Sequence, residues 1–230
     1  MLLDVLRGES LDFIDIIVRI FASLTVIFLT MPVHEFAHAF SAYKLGDKSQ
    51  KYMGRLTLNP FAHIDYIGAL AILFVGFGWA KPVQVNPMYF KNPKVGMAVT
   101  SFAGPFANLI TAFVCMLLYN FIGFINVFAQ SSIIVYAASL FSYIAEINIG
   151  LAVFNLVPFP PLDGSKVLAV ILPDRIYYKV MQYENYLYFI LIILVATGVL
   201  SLPIGIVSDF VFILFIFITS LPFGGILSFF

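Results

Sequence analysis

The sequence predicts an all-α membrane protein: a polytopic helical bundle of about five to six transmembrane segments, with a re-entrant segment and possible short β-strands. Of its 230 residues, 62% are hydrophobic and only 10% are charged, whereas soluble globular domains carry about 25% charged residues. Apolar runs of roughly 20 residues recur along the chain, which is the length that a helix needs to cross a bilayer. Clusters of proline and glycine separate these runs and indicate where helices end.

The first predicted element is one long helix from about residue 12 to 45. Asp15 and Arg19 lie four residues apart and can pair on one helix face. Pro32 predicts a kink, because proline lacks the backbone N–H that a helix interior uses. Gly46 follows the last apolar residues and predicts the end of the helix.

The next apolar segment, 66–80, is short and is interrupted by glycines. We expect it to be re-entrant, entering and leaving the membrane on one side. Residues 81–95 contain three prolines, so they do not form one regular helix. The stretch 81–85 predicts a short strand.

Four further spans are predicted, at about residues 96–127, 131–157, 184–200 and 203–224. Three prolines within 158–161 break the chain between the second and third of these spans. Broken backbone at membrane depth is tolerated where it lines a cavity or is buried by protein. A short helix is predicted after the break, at about 165–172.

The whole chain, 1–230, is predicted to be a single membrane-embedded domain, with a catalytic core at about 20–175 and C-terminal spans at about 184–224. Its net charge is zero, from 12 basic and 12 acidic residues, which does not favour nucleic acid as a partner. The predicted partner is the lipid bilayer, and the oligomeric state stays open.

The basic residues predict the orientation in the membrane. Ten of the twelve fall in three segments, 44–55, 81–94 and 166–179, and cytoplasmic loops are rich in Lys and Arg. The three segments share one side only if 66–80 is re-entrant. This arrangement places the N-terminus outside and the C-terminus in the cytoplasm.

The strongest functional signal is H-E-x-x-H at His34-Glu35-Phe36-Ala37-His38. On a helix the two histidines lie on one face, about one turn apart, so both imidazoles can reach one zinc ion. Glu35 projects at a different angle and can act as general base on the attacking water. Ionisable groups at membrane depth are costly, so their presence points to function.

A catalytic zinc site uses three protein ligands, so a third ligand must come from elsewhere in the chain. Glu146 and Asp163 are the acidic residues of the central spans. Asp163 follows the proline break on the same basic side as the motif, whereas Glu146 lies mid-span. Asp163 is therefore the favoured ligand, with an N-cap role for its carboxylate as the alternative.

Two more motifs follow on successive spans: A-G-P-F-A-N at 103–108 and N-x-x-P-x-x-x-L-D-G at 155–164. Together with H-E-x-x-H, in this order, they resemble the site-2 protease family of intramembrane zinc metalloproteases. The similarity is to the compact prokaryotic branch, with no PDZ insertion and no C-terminal regulatory domain.

The resemblance implies a zinc-dependent endopeptidase of the prokaryotic plasma membrane, a multi-pass protein that hydrolyses peptide bonds in or near transmembrane segments of its substrates. It implies one zinc ion per chain, held by His34, His38 and Asp163, with Glu35 as the catalytic residue. It also implies that Asn108 and Asn155 hold the substrate backbone or the developing oxyanion.

Other interpretations start from the same residues. A transporter would usually show internal repeats, and the sequence contains none; a catalytically inactive scaffold would have lost a ligand or the base. Asn108 could instead hydrogen-bond between helices, and Asn155 could bind carbonyl groups that Pro158 leaves free. His63 either lies over the cleft or caps a loop.

Overall fold

The computed structural model describes residues 12–75 and 79–225, and its regular structure there is helical. Four helices are long and apolar enough to cross a membrane, as the spans of a multi-pass membrane protein are. In chain order the helices are α1 (Phe13–Leu45), α2 (Ser49–Tyr52), α3 (Tyr66–Val75), α4 (Pro93–Ala129), α5 (Ser132–Leu156), α6 (Asp163–Ile171), α7 (Asp174–Met181), α8 (Glu184–Ala196) and α9 (Ser201–Ser220).

Helix α1 confirms the long helix predicted at 12–45, and the irregularity predicted at Pro32 takes the form of a widened turn. Residues Val26–Thr30 are π-helical, and the Met31 N–H donates to the carbonyl of Val26, five residues back. Pro32 follows directly and has no N–H to donate. A π-helical turn changes the hydrogen-bond register without ending the helix, and such turns are frequent at functional sites. The turn lies just before His34.

Helix α3 has 10 residues, so it is about 15 Å long, half of the roughly 30 Å hydrocarbon core. The two ends of its segment meet: Ile64 and Ala80 form an isolated antiparallel bridge, and the Lys81 N–H donates to the His63 carbonyl at 2.8 Å. This segment therefore returns to the level at which it started.

The short strand predicted at 81–85 is not formed, and the described part of the chain contains no strand. Pro82 has no N–H to offer a neighbour. The Gln84 carbonyl accepts from the side chain of Gln50, and the Asn86 N–H donates to the carboxylate of Asp47. Side chains thus take the backbone groups that a ladder would use.

Asp47 holds this loop to the end of α1. Its carboxylate also accepts from the Ser49 N–H at 3.1 Å and from the Gln50 side chain at 2.9 Å. Burial raises the pKa of Asp47, but the hydrogen bonds from Ser49, the Asn86 N–H and Gln50 outweigh burial, so the pKa lies below its usual range. The loop after α1 is therefore fixed against the loop before α4.

The four long helices pack with α1 and α5 parallel to each other and antiparallel to α4 and α9. Tyr143 on α5 reaches Asp15 near the start of α1. Phe113 on α4 lies edge-on against Phe215 on α9, and Phe121 further along α4 contacts Phe223 just after α9, so these two helices run in the same direction. Small and aliphatic residues form the core between these helices: Ala22, Val26, Ala112, Cys115, Met116, Ile144, Ala145 and Ile149.

The prediction of a membrane span at 184–200 is wrong. Helix α8 has 13 residues and is about 20 Å long, which is too short to cross the hydrocarbon core. It ends before Gly198, whose φ of 73° is left-handed. Leu191 of α8 packs against Phe154 and Leu162, at the C-terminal end of α5. Four helices of membrane length are therefore found among the described residues, fewer than the five to six predicted.

The packing also relates the start of α1 to the end of α9. Asn120, near the end of α4, donates to Thr219 at the end of α9 at 2.8 Å. Because α4 runs opposite to α1, the start of α1 and the end of α9 lie at the same end of the bundle. The predicted sides of residues 1–11 and 226–230 concern segments outside the described residues, and their orientation stays a prediction.

Candidate metal centre

His34 and His38 lie on one face of α1, one turn apart, and both are buried with 7% of their surface exposed. The Nε2 atoms of the two rings are 3.0 Å apart. Their position at i and i+4 follows from the helical period, and the continuous helix after Pro32 preserves it. The two rings thus present one nitrogen each to a common point.

Asp163 supplies the third group at this point. Its Oδ2 atom lies 3.2 Å from His38 Nε2 and 3.6 Å from His34 Nε2. Leu162 occupies the N-cap position of α6 and Asp163 is the first helical residue. The interruption of the helix after α5 brings Asp163 to the histidines. Gly164 allows this close turn, because a Cβ at this position would lie 2.3 Å from the carbonyl oxygen of Leu156.

The arrangement of donors and acceptors fits a bound zinc ion. The Nδ1 atom of His38 donates to the Thr100 carbonyl at 2.7 Å, because a carbonyl oxygen can only accept. In the neutral ring, Nε2 then carries a lone pair directed at His34 Nε2 and at a carboxylate oxygen. Ligand atoms of a tetrahedral zinc ion lie about 3.3 Å apart, given bonds of about 2.0–2.1 Å. The three observed separations bracket that value, so a cation explains this close approach of lone pairs.

Gly104 on α4 leaves the space in which the histidines meet. A Cβ at this position would lie 2.3 Å from His38 Nε2 and 2.6 Å from His34 Nε2. Both distances are far below any normal contact, and the neighbouring atoms are the ligand nitrogens themselves. A residue with a side chain at 104 would therefore displace the candidate ligands.

Glu35 is buried beside the two histidines, with 7% of its surface exposed. Its Oε2 atom is buried and has no hydrogen-bond partner among the residues that the structure describes. A buried carboxylate oxygen without a structural partner is costly. The Oε2 atom of Glu35 is thus a hydrogen-bond acceptor beside the candidate metal ligands, and no described residue donates to it.

The structure places the two predicted asparagines on the elements that carry the site. Asn108 lies one turn after Gly104 on α4 and is 2% exposed. Asn155 is half-buried in the last turn of α5, just before the break that leads to Asp163. Glu146, the rejected candidate ligand, lies outside the cluster of potential metal ligands.

His63 takes a structural position instead of a place over the cleft. It is 1% exposed, and its Nε2 atom lies 2.8 Å from the Thr57 carbonyl. Arg55 supports the same loop by donating to the Ala62 carbonyl at 2.9 Å. These contacts hold the polar segment between α2 and α3.

Sequence reasoning did not find the contribution of Thr100. The group that contacts His38 is a backbone carbonyl, which every residue carries, so no residue type signals it. The role of Gly104 had a signal, because this glycine stands in the quoted 103–108 motif, but the sequence does not show what it faces.

Comparison with known proteins agrees with this geometry. The sequence profile of peptidase family M50 matches residues 22–198. The chain belongs to peptidase family M50. This range runs from the middle of α1 to the end of α8 and contains all three candidate ligands, so the resemblance to site-2 proteases is confirmed. M50 proteins are zinc metalloproteases, and His34, His38 and Asp163 are the candidate zinc site of this one.

Similar proteins are also described as zinc metalloproteases. "Putative zinc metalloprotease YwhC" of Bacillus subtilis (strain 168) is 38% identical over 74% of this chain and 77% of that protein. "Putative zinc metalloprotease Rip2" of Mycolicibacterium smegmatis is 27% identical over 75% of this chain and 66% of that protein. Rip2 of Mycobacterium tuberculosis (strain Erdman) is 28% identical, over 71% of this chain and 62% of that protein. No solved structure matches the chain.

Proposed function

We propose that this M50 protein is an intramembrane endopeptidase that hydrolyses peptide bonds in or near transmembrane segments of membrane-protein substrates. The observation that carries the proposal is the position of the His34, His38 and Asp163 ligand atoms, which lie within 4.8 Å of one another, inside a bundle of helices of membrane length. Ionisable groups at such depth are retained where they serve function.

Zinc bound by the two imidazoles and the carboxylate would supply Lewis-acid chemistry, polarising a carbonyl and lowering the pKa of water. The protein's own groups orient the ligands and transfer the proton. The Thr100 carbonyl holds the His38 ring in one tautomer and one orientation. Such support from a second layer of groups raises the basicity of a ligand and fixes its direction.

Glu35 acts as the general base and then as the general acid. Its unpartnered carboxylate oxygen accepts a proton from the attacking water. The same group then delivers this proton to the amine that leaves when the peptide bond breaks. The two transfers return Glu35 to its starting charge, so one carboxylate serves the whole hydrolysis.

Asn108 and Asn155 act on the substrate. Neutral amides are weaker zinc ligands than imidazole or carboxylate, and their N–H groups can donate to a carbonyl oxygen as it becomes an oxyanion. The positions of the two residues on α4 and at the end of α5 support this role. Helical hydrogen bonds shield the carbonyls of a transmembrane substrate, so the substrate must unwind locally to present one.

The metal centre faces the cytoplasmic side of the plasma membrane in this proposal. The ends of α1 and α5 that carry the site adjoin the three segments holding ten of the twelve basic residues, and positive residues favour the cytoplasm. The segment 66–80 is then re-entrant, as the contact between Ile64 and Ala80 supports. With four crossings, the start of α1 and the end of α9 lie outside.

Membrane proteomes test the function. Cells producing the wild-type protein, Glu35→Gln, or the control Glu184→Gln, which lies at the start of α8 outside the ligand cluster, are compared by mapping new protein termini. Termini inside or next to transmembrane segments are expected with the wild-type and control proteins and absent with Glu35→Gln. Identical termini in all three, or wild-type-specific termini confined to soluble domains, would overturn the proposal.

A further inference from the structure

Two polar segments at one end of the bundle lie side by side: 44–55, which contains the last residues of α1 and all of α2, and 81–91, which precedes α4. Three contacts join them in antiparallel order: Gly46 with the Tyr89 carbonyl, the Gln50 side chain with the Gln84 carbonyl, and the Arg55 guanidinium with the Pro82 carbonyl. The two segments therefore form one surface, which we call the basic platform.

The basic platform carries an excess of positive charge. Five of its side chains are exposed lysines: Lys44, Lys48, Lys51, Lys81 and Lys91. The only carboxylate in the two segments is that of Asp47, which is 0% exposed and accepts hydrogen bonds from Ser49, Gln50 and the Asn86 N–H. Asp65, beside the platform, accepts from two backbone N–H groups at the start of α3. The charge of the lysines thus exceeds that of the nearby carboxylates.

Two of these lysines contact neutral groups of the chain. Lys48 Nζ lies 3.9 Å from the centre of the Tyr43 ring and donates to the Tyr43 carbonyl at 3.2 Å. Lys44 Nζ lies 5.2 Å from the centre of the Phe40 ring. An aromatic face attracts a cation but does not cancel its charge. Both ammonium groups are therefore held near aromatic rings with their charge available to an external anion.

Large apolar side chains are exposed among the lysines. Tyr52 is 86% exposed and Met88 is 82% exposed, and their neighbours Met53 and Tyr89 are also exposed. Such a mixture is typical of a surface at the boundary between water and lipid, where the apolar side chains enter the headgroup region and the lysines extend to the phosphates.

We propose that the basic platform binds the headgroups of anionic phospholipids in the adjoining leaflet of the membrane. Its two segments adjoin the end of α1 and the start of α4, which are both of membrane length, so the lysines lie near headgroup level. Clusters of lysine next to membrane helices are attracted to anionic lipids. A soluble acidic protein would pair with the lysines, whereas a bilayer surface takes both the lysines and the exposed apolar side chains. The inference does not depend on peptidase activity.

Trp79 provides a built-in reporter for this surface. It is the single tryptophan of the chain and is 43% exposed. It stands two residues before Lys81, whose carbonyl accepts from Arg55 at 3.3 Å. Trp79 therefore lies beside the platform, where lipids bound to the lysines can quench its fluorescence.

The test uses wild-type protein in two nanodisc preparations with the same mixture of phosphatidylglycerol and phosphatidylcholine. Bromine, which quenches tryptophan, is carried by the acyl chains of the anionic lipid in one preparation and of the neutral lipid in the other. Quenching of Trp79 should be stronger with brominated phosphatidylglycerol, because one lysine near the surface favours anionic lipid by about fivefold. Equal quenching in the two preparations would overturn the proposal.

Variants assign the preference to the platform. The pair Lys51→Gln and Lys81→Gln, at exposed positions, should bring the two quenching values close together. The control pair Arg175→Gln and Lys179→Gln removes the same charge from exposed positions of α7 and should leave the preference unchanged. The pair Lys51→Arg and Lys81→Arg should retain it, because the charge is kept. An equal loss in the test and control pairs would show that net charge sets the preference, which contradicts the assignment.

Two further arms identify other occupants. If inorganic phosphate abolishes the preference and chloride at the same ionic strength does not, the platform takes free phosphate and the lipid proposal is wrong. If the two quenching values are equal and polyglutamate shifts the Trp79 emission in phosphatidylcholine nanodiscs, the platform takes an acidic protein segment instead. A preference that survives phosphate and weakens with salt, as screened surface charges require, supports the lipid proposal.

Discussion

The Nδ1 atom of His38 lies 2.7 Å from the carbonyl oxygen of Thr100. This hydrogen bond joins α1, which carries the H-E-x-x-H motif, to α4, which carries no zinc ligand. It directs the opposite ring nitrogen towards His34 and Asp163. The distance between α1 and α4 therefore determines whether the zinc ligands converge, and Gly104 is the residue that permits this distance.

Gly104→Ala should weaken zinc binding by about 10–100-fold, the range seen when a supporting group of a metal site is lost. The new methyl group would overlap His38 Nε2 and His34 Nε2. Gly150→Ala is the matched control, because its methyl group meets open space. Zinc titration of both purified variants checks the prediction, and equal affinity would show that α4 moves away without cost.

Each of His34→Ala, His38→Ala and Asp163→Ala should reduce zinc affinity by more than about 100-fold, since each removes one of three protein ligands. Metal analysis after dialysis against a chelator measures the loss. Full zinc occupancy in purified Asp163→Ala would show that another residue supplies the third ligand.

Glu35→Gln should retain zinc and thermal stability but lower turnover by about 10²–10⁴-fold or more, the usual contribution of a general base. The amide keeps the size of the side chain and cannot accept the proton as a carboxylate does. Zinc content, melting temperature and cleavage are measured on one preparation. Near-normal turnover would remove Glu35 from the mechanism.

Asn108→Ala and Asn155→Ala should keep zinc while losing about 10²–10³ in rate, as expected when one donor to an oxyanion is removed. A packing role gives the opposite pattern: the variants would melt at lower temperature, and the surviving folded protein would cleave normally. The ratio of turnover to folded, zinc-loaded protein distinguishes the two cases.

Cysteine labelling tests the four-span topology, starting from a Cys115→Ala background because Cys115 is the single native cysteine. Cysteines placed at Lys48 and Lys91 should react from the cytoplasmic side only, since the segment 66–80 returns to its starting side. Cysteines at Ser131 and Gly224 should react from the outside only. Labelling of the Gly224 position from the cytoplasm would restore a fifth span.

The sequence by itself predicted the long first helix, the break at 158–161 and the candidate zinc site. These follow from local rules: a helical period places His34 and His38 on one face, and prolines end helices. The choice of Asp163 over Glu146 needed only their positions relative to the basic segments. The apolar residues around the motif predicted that the ligand cluster would be buried among membrane helices.

Tertiary contacts alone decided the rest. The sequence could not tell that 184–200 forms a helix too short to span, because apolar composition does not show where Gly198 turns the chain. It could not show the strand at 81–85 to be absent, since Asp47 and Gln50 capture its backbone groups from elsewhere in the chain. The Thr100 carbonyl and the space at Gly104 both lie between helices distant in sequence. Packing decides such contacts, because it depends on several helices at once, whereas periodicity and turn chemistry act within one segment.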